Sequence, residues 1–276
     1  MRKNSGGNKS SGEKYIRFSD DMLWGIHPVV EGLTKEPDRF TEVVIQKDKR
    51  GSKIDEIVSL AKAAGVKLMF VESIRLTGEG SADVRHQGVV AQITEAPLLN
   101  FDDLKEKMIA RIAAKKPTRL MILDSLQDPH NVGAIIRSAL ASGAAGVIVT
   151  RERSAPLGGT AAKSSAGAMS HIDICQVTNL SRSLQELKEI GFWVFGALKD
   201  ADAQSLYEVD LSVPACLIVG SEGKGIRPLI KKDCDFLISI PMEGDLDSLN
   251  SSVAAGVILF ETQRQSLLAQ TNPDIS

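Results

Sequence analysis

The sequence predicts an α/β protein in two parts, the larger being a parallel sheet covered by helices on both faces. Three observations carry this. The chain has 276 residues, enough for about two domains of roughly 150 residues each. Its apolar segments, such as 120–123, 146–150 and 215–219, are short and continuous rather than alternating, as strands buried on both faces are. Amphipathic stretches at helical spacing separate them, and strands alternating with helices build parallel sheets.

In order along the chain, the segment WGIHPVV at 24–30 reads as a turn feeding a helix with Pro28 at its first position. Residues 42–46 read as a strand; Ile54, Ile57, Val58 and Ala61 then recur at helical spacing until Gly65, a usual stop. Strands at 66–71 and 88–94 complete a small α/β unit, ended by Ala96-Pro97. Residues 98–117 read as a connecting helix on Leu104, Met108, Ile109 and Ile112, stopped near Pro117. The second unit reads as strand 119–124, helix 132–141, strand 146–150, a Gly/Ala/Ser-rich stretch 158–170 and strand 172–177. Helix 180–190, strands 192–198, 215–220 and 236–240, and a last helix at 248–263 follow. The expected organisation is a flexible basic arm (1–20), a first domain (21–97), a linker helix (98–117) and a second domain (118–270).

An apolar fraction of 43% excludes a disordered or fibrous chain. The longest apolar stretch, 253–260, is far short of the roughly 18 residues that span a bilayer, and the polar N-terminus lacks the apolar segment of a secretory signal. Cys175, Cys216 and Cys234 form no C-x-x-C pair, so reduced core thiols of a cytoplasmic protein are expected. His27, His86, His130 and His171 have no Cys or carboxylate at ligand spacing, and no metal site is expected. A net charge of −2, taken as a sum, argues against nucleic acid. Its distribution does not: residues 1–17 hold Arg2, Lys3, Lys9, Lys14 and Arg17 against Glu13, a local +4 that leaves −6 on the rest. Lys47, Lys49, Arg50 and Lys53 form the densest basic cluster beyond that arm, as a solvated surface or an RNA contact. With two Trp and two Tyr, base stacking has little to draw on, and phosphate and groove contacts would hold an RNA.

Ligands of parallel α/β sheets bind beyond the carboxyl ends of strands, which singles out three loops. In the first, Asn131 can cap the following helix, Gly133 permits close approach of another backbone, and Arg137 lies off the apolar face made by Val132, Ile135, Ile136 and Ala139. A capped helix with a solvent-facing arginine is the plain alternative. The second, GSEGKGIRP from Gly220, matches neither G-x-x-x-x-G-K-[ST] nor G-x-G-x-x-G. A carboxylate at Glu222 would repel phosphate and suits a cationic or hydroxyl-bearing ligand. In the third, after 236–240, Ser248 can cap the last helix, while Asn250, Ser251 and Ser252 crowd its first turn. They cost helix propensity there, which favours a site over a merely capped helix.

Together and in order, these loops resemble the SpoU (TrmH) family of RNA ribose 2′-O-methyltransferases, through Asn131-x-Gly133-x-x-x-Arg137, Leu217-x-x-Gly220-x-Glu222-x-x-Gly225-Ile226, and Ile240-Pro241-Met242 leading to Ser248-Leu249-Asn250-x-Ser252-x-Ala254. Gly25-Ile26-His27-Pro28-Val29 and His86-Gln87-Gly88-Val89-Val90-Ala91 are similar to the small RNA-substrate-binding domain, itself like ribosomal protein L30, that precedes the catalytic domain in many members. The resemblance implies a trefoil-knotted, SPOUT-type catalytic domain, an obligate homodimer, and S-adenosylmethionine as methyl donor. It implies a cofactor site at Gly220, Ile240 and Leu249, with Leu217, Val219, Gly225, Ile226 and Met242, largely through backbone groups. Arg137 is implied at the reacting hydroxyl, where a guanidinium suits orienting phosphate and stabilising alkoxide charge better than acting as a base. Asn131, Glu222, Ser248 and Asn250 would frame it, Glu222 by fixing Arg137 or a loop amide. The layout is that of members acting on a guanosine of 23S rRNA. A tRNA substrate, a non-catalytic RNA-binding protein of the same fold, and a nucleotide-binding enzyme using the 220–225 loop are the alternatives.

Overall fold

The computed structural model describes residues 13–19, 21–78, 81–94, 98–200, 202–243 and 248–271. The chain divides into two compact units, Met1–Glu95 and Ala96–Ser276. The boundary expected at Ala96-Pro97 lies outside the described residues.

The first unit contains strands β1 (Glu13–Arg17), β2 (Met22–Trp24), β3 (Phe40–Gln46), β4 (Lys67–Val71), β5 (Ser73–Thr77) and β6 (Val89–Ile93), with helices α1 (Ile26–Lys35) and α2 (Ser52–Ala63). Strands β2-β6-β3-β4 form a mixed four-stranded sheet. Its alternation is plain: Val43, Ile45, Val89 and Ala91 are fully buried on one face, while Val44 and Val90 join Met22, Trp24, Val71 and Ile74 on the other. Helix α1 starts at Ile26 after Gly25 at φ 93°, which makes Pro28 its third residue rather than its first.

The expected arm needs correction over part of its length. Residues 13–17 form β1, which pairs in parallel with β5. Ile16 and Phe18 pack on the apolar cluster around Trp24, and Lys14 Nζ donates to Glu42 at 2.6 Å. The rest of the arm, 1–12, lies outside the described residues.

The second unit runs α3 (Phe101–Ala113), β7 (Arg119–Asp124), α4 (Pro129–Ala141), β8 (Gly146–Thr150), α5 (Gly159–Ser164), β9 (Ile174–Val177), α6 (Leu180–Glu189), β10 (Trp193–Ala197), β11 (Gln204–Ser205), β12 (Ala215–Gly220), α7 (Pro228–Asp233), β13 (Phe236–Ser239) and α8 (Ser251–Thr271). All seven strands are parallel, in the order β11-β13-β10-β12-β7-β8-β9. One face packs Met121, Leu123, Val149, Leu217 and Val219 against α4 and α8. The other packs Leu120, Ile122, Ile148 and Ile218 against α3, α6 and α7. The expected linker helix, α3, is thus a covering layer of this sheet: Leu104 and Met108 sit in its core. Burying that apolar stripe outweighs leaving the helix as a free connection. Pairing of β7 with β12 runs from Arg119↔Ala215 to Asp124↔Gly220, so the loops after both strands leave the sheet at one level. Among the described residues no helix is long and apolar enough to cross a membrane.

Candidate functional site

The site begins with how α4 starts. Asp128 caps it, Oδ1 accepting from the His130 N–H at 2.9 Å, with Pro129 at the first position. The cap expected at Asn131 is therefore wrong, because Asp-Pro supplies a stronger start three residues earlier. Freed from that duty, Asn131 sits 9% exposed in the first turn. Gly133 follows on the side facing α5, where a Cβ would lie 2.4 Å from the Ala161 carbonyl oxygen. The close approach expected of this glycine is what docks α5.

The loop after β12 folds back on itself. Gly225, at φ +63°, donates its N–H to the Ser221 carbonyl at 2.8 Å, and a Cβ on Gly220 would meet the Gly225 carbon at 2.1 Å. This turn aims Glu222 at α4. Its Oε1 accepts from Asn131 Nδ2 at 2.5 Å and from Asn250 Nδ2 at 3.0 Å. Asn250 Nδ2 also lies 3.2 Å from Asn131 Oδ1, and Asn250 Oδ1 accepts from the Ser252 N–H at 2.9 Å. Asn250, not Ser248, therefore caps α8, which starts at Ser251. Two amides thus occupy one carboxylate oxygen of Glu222 and leave Oε2 for another donor.

Two further residues, not singled out from the sequence, hold the loops in register. Asp124, fully buried at the end of β7, accepts from the Arg227 N–H at 2.9 Å and from its guanidinium Nε at 2.6 Å. A lone carboxylate closing an apolar strand was the available signal; its partner 103 residues on was not. Beside them Ser125 (φ 61°) and Arg153 (φ 59°) occupy left-handed backbone, a conformation non-glycine residues hold only under constraint. The constraint is visible: Thr150 Oγ1 accepts from the Ser125 N–H at 3.2 Å, and Ala155 N–H donates to the Leu126 carbonyl at 2.7 Å.

Between these loops lies a cavity of about 650 Å³ lined by Asn131, Arg153, Glu222, Lys224, Arg227 and Ser251, among others, a volume suited to a small ligand or a nucleotide. Asn131, Glu222 and Gly225 are the expected site residues that line it, and Asn250 reaches it through its bonds. Arg137 does not: it is exposed, lies six residues (~9 Å) along α4, and makes no hydrogen bond or ion pair among the described residues. Glu222 is accordingly not its partner, the two amides having taken that place. Ser248 is exposed and outside the lining. The side chains of Leu217, Val219 and Ile226 are buried in the two cores, so only their backbones can meet a ligand. Gly220 offers its carbonyl, 3.4 Å from Ser251 Oγ. Ile240, Met242 and Leu249 are half-buried beyond β13, which β10 separates from β12 by two strand spacings, ~10 Å. Among the described residues no backbone group is bonded to the backbone of Met242, Ser248 or Leu249. Among the described residues no three His, Cys, Asp or Glu side chains converge as metal ligands.

The SpoU rRNA methylase family matches residues 118–260, and the RNA 2′-O ribose methyltransferase substrate-binding family matches 22–99. The chain is 41% identical over 248 residues to a 23S rRNA (guanosine-2′-O-)-methyltransferase, RlmB, of Xanthomonas campestris, covering 90% of this chain and 98% of that protein. It is 37% identical over 253 residues to the RlmB of Vibrio parahaemolyticus, covering 92% and 100%. The SpoU methyltransferase AviRb of Streptomyces viridochromogenes, solved with AdoMet, shares the fold at a TM-score of 0.66 and 21% identity over 90% of both chains. So does an rRNA methyltransferase of Sinorhizobium meliloti, at 0.66 and 21% over 92% and 98%.

Proposed function

The chain belongs to the SpoU family of rRNA methylases, and from that premise we propose that it transfers a methyl group from S-adenosylmethionine to a ribose 2′-hydroxyl in RNA, that of a guanosine in 23S rRNA. The observation that carries the reading is the convergence of Asn131 from the first turn of α4, Glu222 from the loop after β12 and Asn250 from the cap of α8 on one cavity at the carboxyl edge of the family-matched sheet. Identity of 37–41% over nearly the whole length of RlmB relatives supports the substrate.

The residues present fit the cofactor. Ile240, Met242 and Leu249 offer half-buried apolar surface, and the backbone groups of Met242 and Leu249, which no other described backbone group engages, suit a ligand recognised through main-chain hydrogen bonds. With Gly220 they would hold S-adenosylmethionine, which supplies an electrophilic methyl carbon on a sulfonium. The protein's share is then alignment and handling of one proton. Asn131 and Asn250 fix Glu222 through Oε1, and Oε2 accepts the hydrogen bond of the ribose hydroxyl. That bond would orient the lone pair of the hydroxyl and draw its proton to the Glu222 carboxylate. Arg153 and Lys224 line the same cavity and face the phosphates beside the reacting ribose.

The homodimer belongs to the same proposal. Helix α8 leaves Val253, Phe260 and Leu267 about half exposed at a seven-residue spacing, one stripe along the helix, which a second copy would cover. The threaded C-terminal path goes with it. So does Arg137: a second copy would bring the guanidinium to a cavity it does not line in its own chain. The compartment proposed is the cytoplasm, where three thiols without disulfides stay reduced. Incubation with tritiated S-adenosylmethionine and separate 23S rRNA and tRNA pools, followed by mapping of the methylated ribose, tests the reading. Label at a single guanosine of 23S rRNA is expected. Label confined to tRNA would move the substrate, and label in neither would refute the enzyme.

A further inference from the structure

We propose that the two-stranded ribbon β1–β5 of the first unit is an RNA-contact surface, with Tyr15 stacking on an unpaired base between the guanidinium groups of Arg17 and Arg75. The ribbon has two unlike faces. The inner one is anchored: Ile16, Ile74 and Leu76 pack in the cluster around Trp24, and Lys14 is tied to Glu42. The outer one carries Tyr15, 66% exposed, more than any other large apolar or aromatic side chain described. Pairing sets Tyr15 directly beside Arg75, and Arg17, two residues on, shares its face. Both arginines are exposed.

Glu13 is the acid on that face. Its carboxylate accepts from the Tyr15 hydroxyl at 3.2 Å and stands 3.9 Å from Arg75 Nη2, holding ring and guanidinium side by side. An aromatic ring on a paired strand, flanked by planar cations, presents what single-stranded nucleic acid recognition uses, a π-face for a base and charge for the adjoining phosphates. Charge complementarity favours RNA over a protein partner: residues 1–12, which lead into β1, hold Arg2, Lys3 and Lys9 and no acid. Strand β1, with Tyr15 and Arg17, precedes the family-matched residues, which begin at 22. The proposal rests on RNA being the substrate and gives that RNA a second foothold, on the first unit.

The test is equilibrium binding of the full chain to a 20-nucleotide single-stranded RNA of mixed sequence, by fluorescence anisotropy at several salt concentrations. Tyr15→Ala should weaken binding about tenfold, while Tyr15→Phe, which keeps the ring, stays within about twofold. Arg17→Ala with Arg75→Ala should lower the salt slope by about 1.4, two phosphates at ~0.7 each. Affinity of Tyr15→Ala within twofold of the wild type, or an equal loss in Tyr15→Phe, overturns the ribbon. Methylation of 23S rRNA by the same preparations keeps the two proposals apart. Transfer with equal affinities fails the ribbon alone; no transfer with separated affinities fails the methyltransferase reading alone.

Discussion

At the amino edge of the seven-stranded sheet, Arg119 is 5% exposed. Its guanidinium donates to the carbonyl of Ser142, the last-turn cap of α4, and to Ser266 Oγ on α8 at 2.9 Å. Burial without a carboxylate, beside Arg111, pushes its pKa down. At the carboxyl edge Asp124 and Asn131 are buried as deeply, but the groups around them are not used up. Glu222 keeps one oxygen, and Arg153 and Lys224 line the cavity with no hydrogen bond or ion pair among the described residues. Both edges bury polar groups. One ties its guanidinium to a helix end and a hydroxyl, leaving Arg119 Nε without a partner among the described residues, and so holds the fold; the other presents exposed charged groups, Glu222, Arg153 and Lys224, that a ligand can engage.

Changes at the two edges should separate stability from activity. The largest effect is expected from Gly133→Val, whose side chain would be driven into the Ala161 carbonyl. A loss of about 3 kcal/mol or more by chemical denaturation is expected, because a backbone cannot step aside as a side chain can. Arg119→Ala should cost about 3 kcal/mol, by stranding the Ser142 carbonyl and removing a buried stem. Its methyl-transfer rate at 25 °C should stay within about twofold; a large loss of rate would blur the distinction between edges. Asn131→Ala and Asn250→Ala should each slow transfer ~10- to 100-fold. The double variant should fall well short of the product of the two losses, since both amides act through Glu222 Oε1. Multiplying losses would mean that they work independently.

The smallest effect is a pH dependence away from either edge. Burial pushes the Cys175 thiol up to about 11 and Cys234 to about 12, above the reference value of 9.0. Below that value both folded and unfolded thiols hold their protons and the contribution is complete. As pH rises from about 9 towards 11 the unfolded chain alone loses protons, so denaturation midpoints should fall over that window and stay flat on this account from pH 7 to 8.

What could be read in advance follows the range of each interaction. Strand β12 was legible because its five residues before Gly220 are all apolar, and Gly133 because close approach needs only the absence of a side chain. Strand β1 was not: Glu13, Lys14 and Arg17 make EKYIR look like solvated arm, and its one buried face is too short to register as a period. The starts of α4 and α8 each have two capping residues close in sequence, Asp128 and Asn131 at one, Asn250 and Ser248 at the other, and local pattern does not distinguish them. The pairing of Glu222 with two amides, rather than with Arg137, depends on three loops meeting, and Asp124 finds Arg227 across more than a hundred residues. Local pattern carries no information about either.

Glu222, held by Asn131 and Asn250, is proposed to present its free oxygen to the ribose hydroxyl. Single-turnover methyl transfer to 23S rRNA by Glu222→Gln, with S-adenosylmethionine affinity measured by calorimetry on the same protein, tests it most directly. A fall in rate of about a hundredfold or more, with cofactor affinity within about threefold of the wild type, is the predicted result. A rate near that of the wild type would contradict the account.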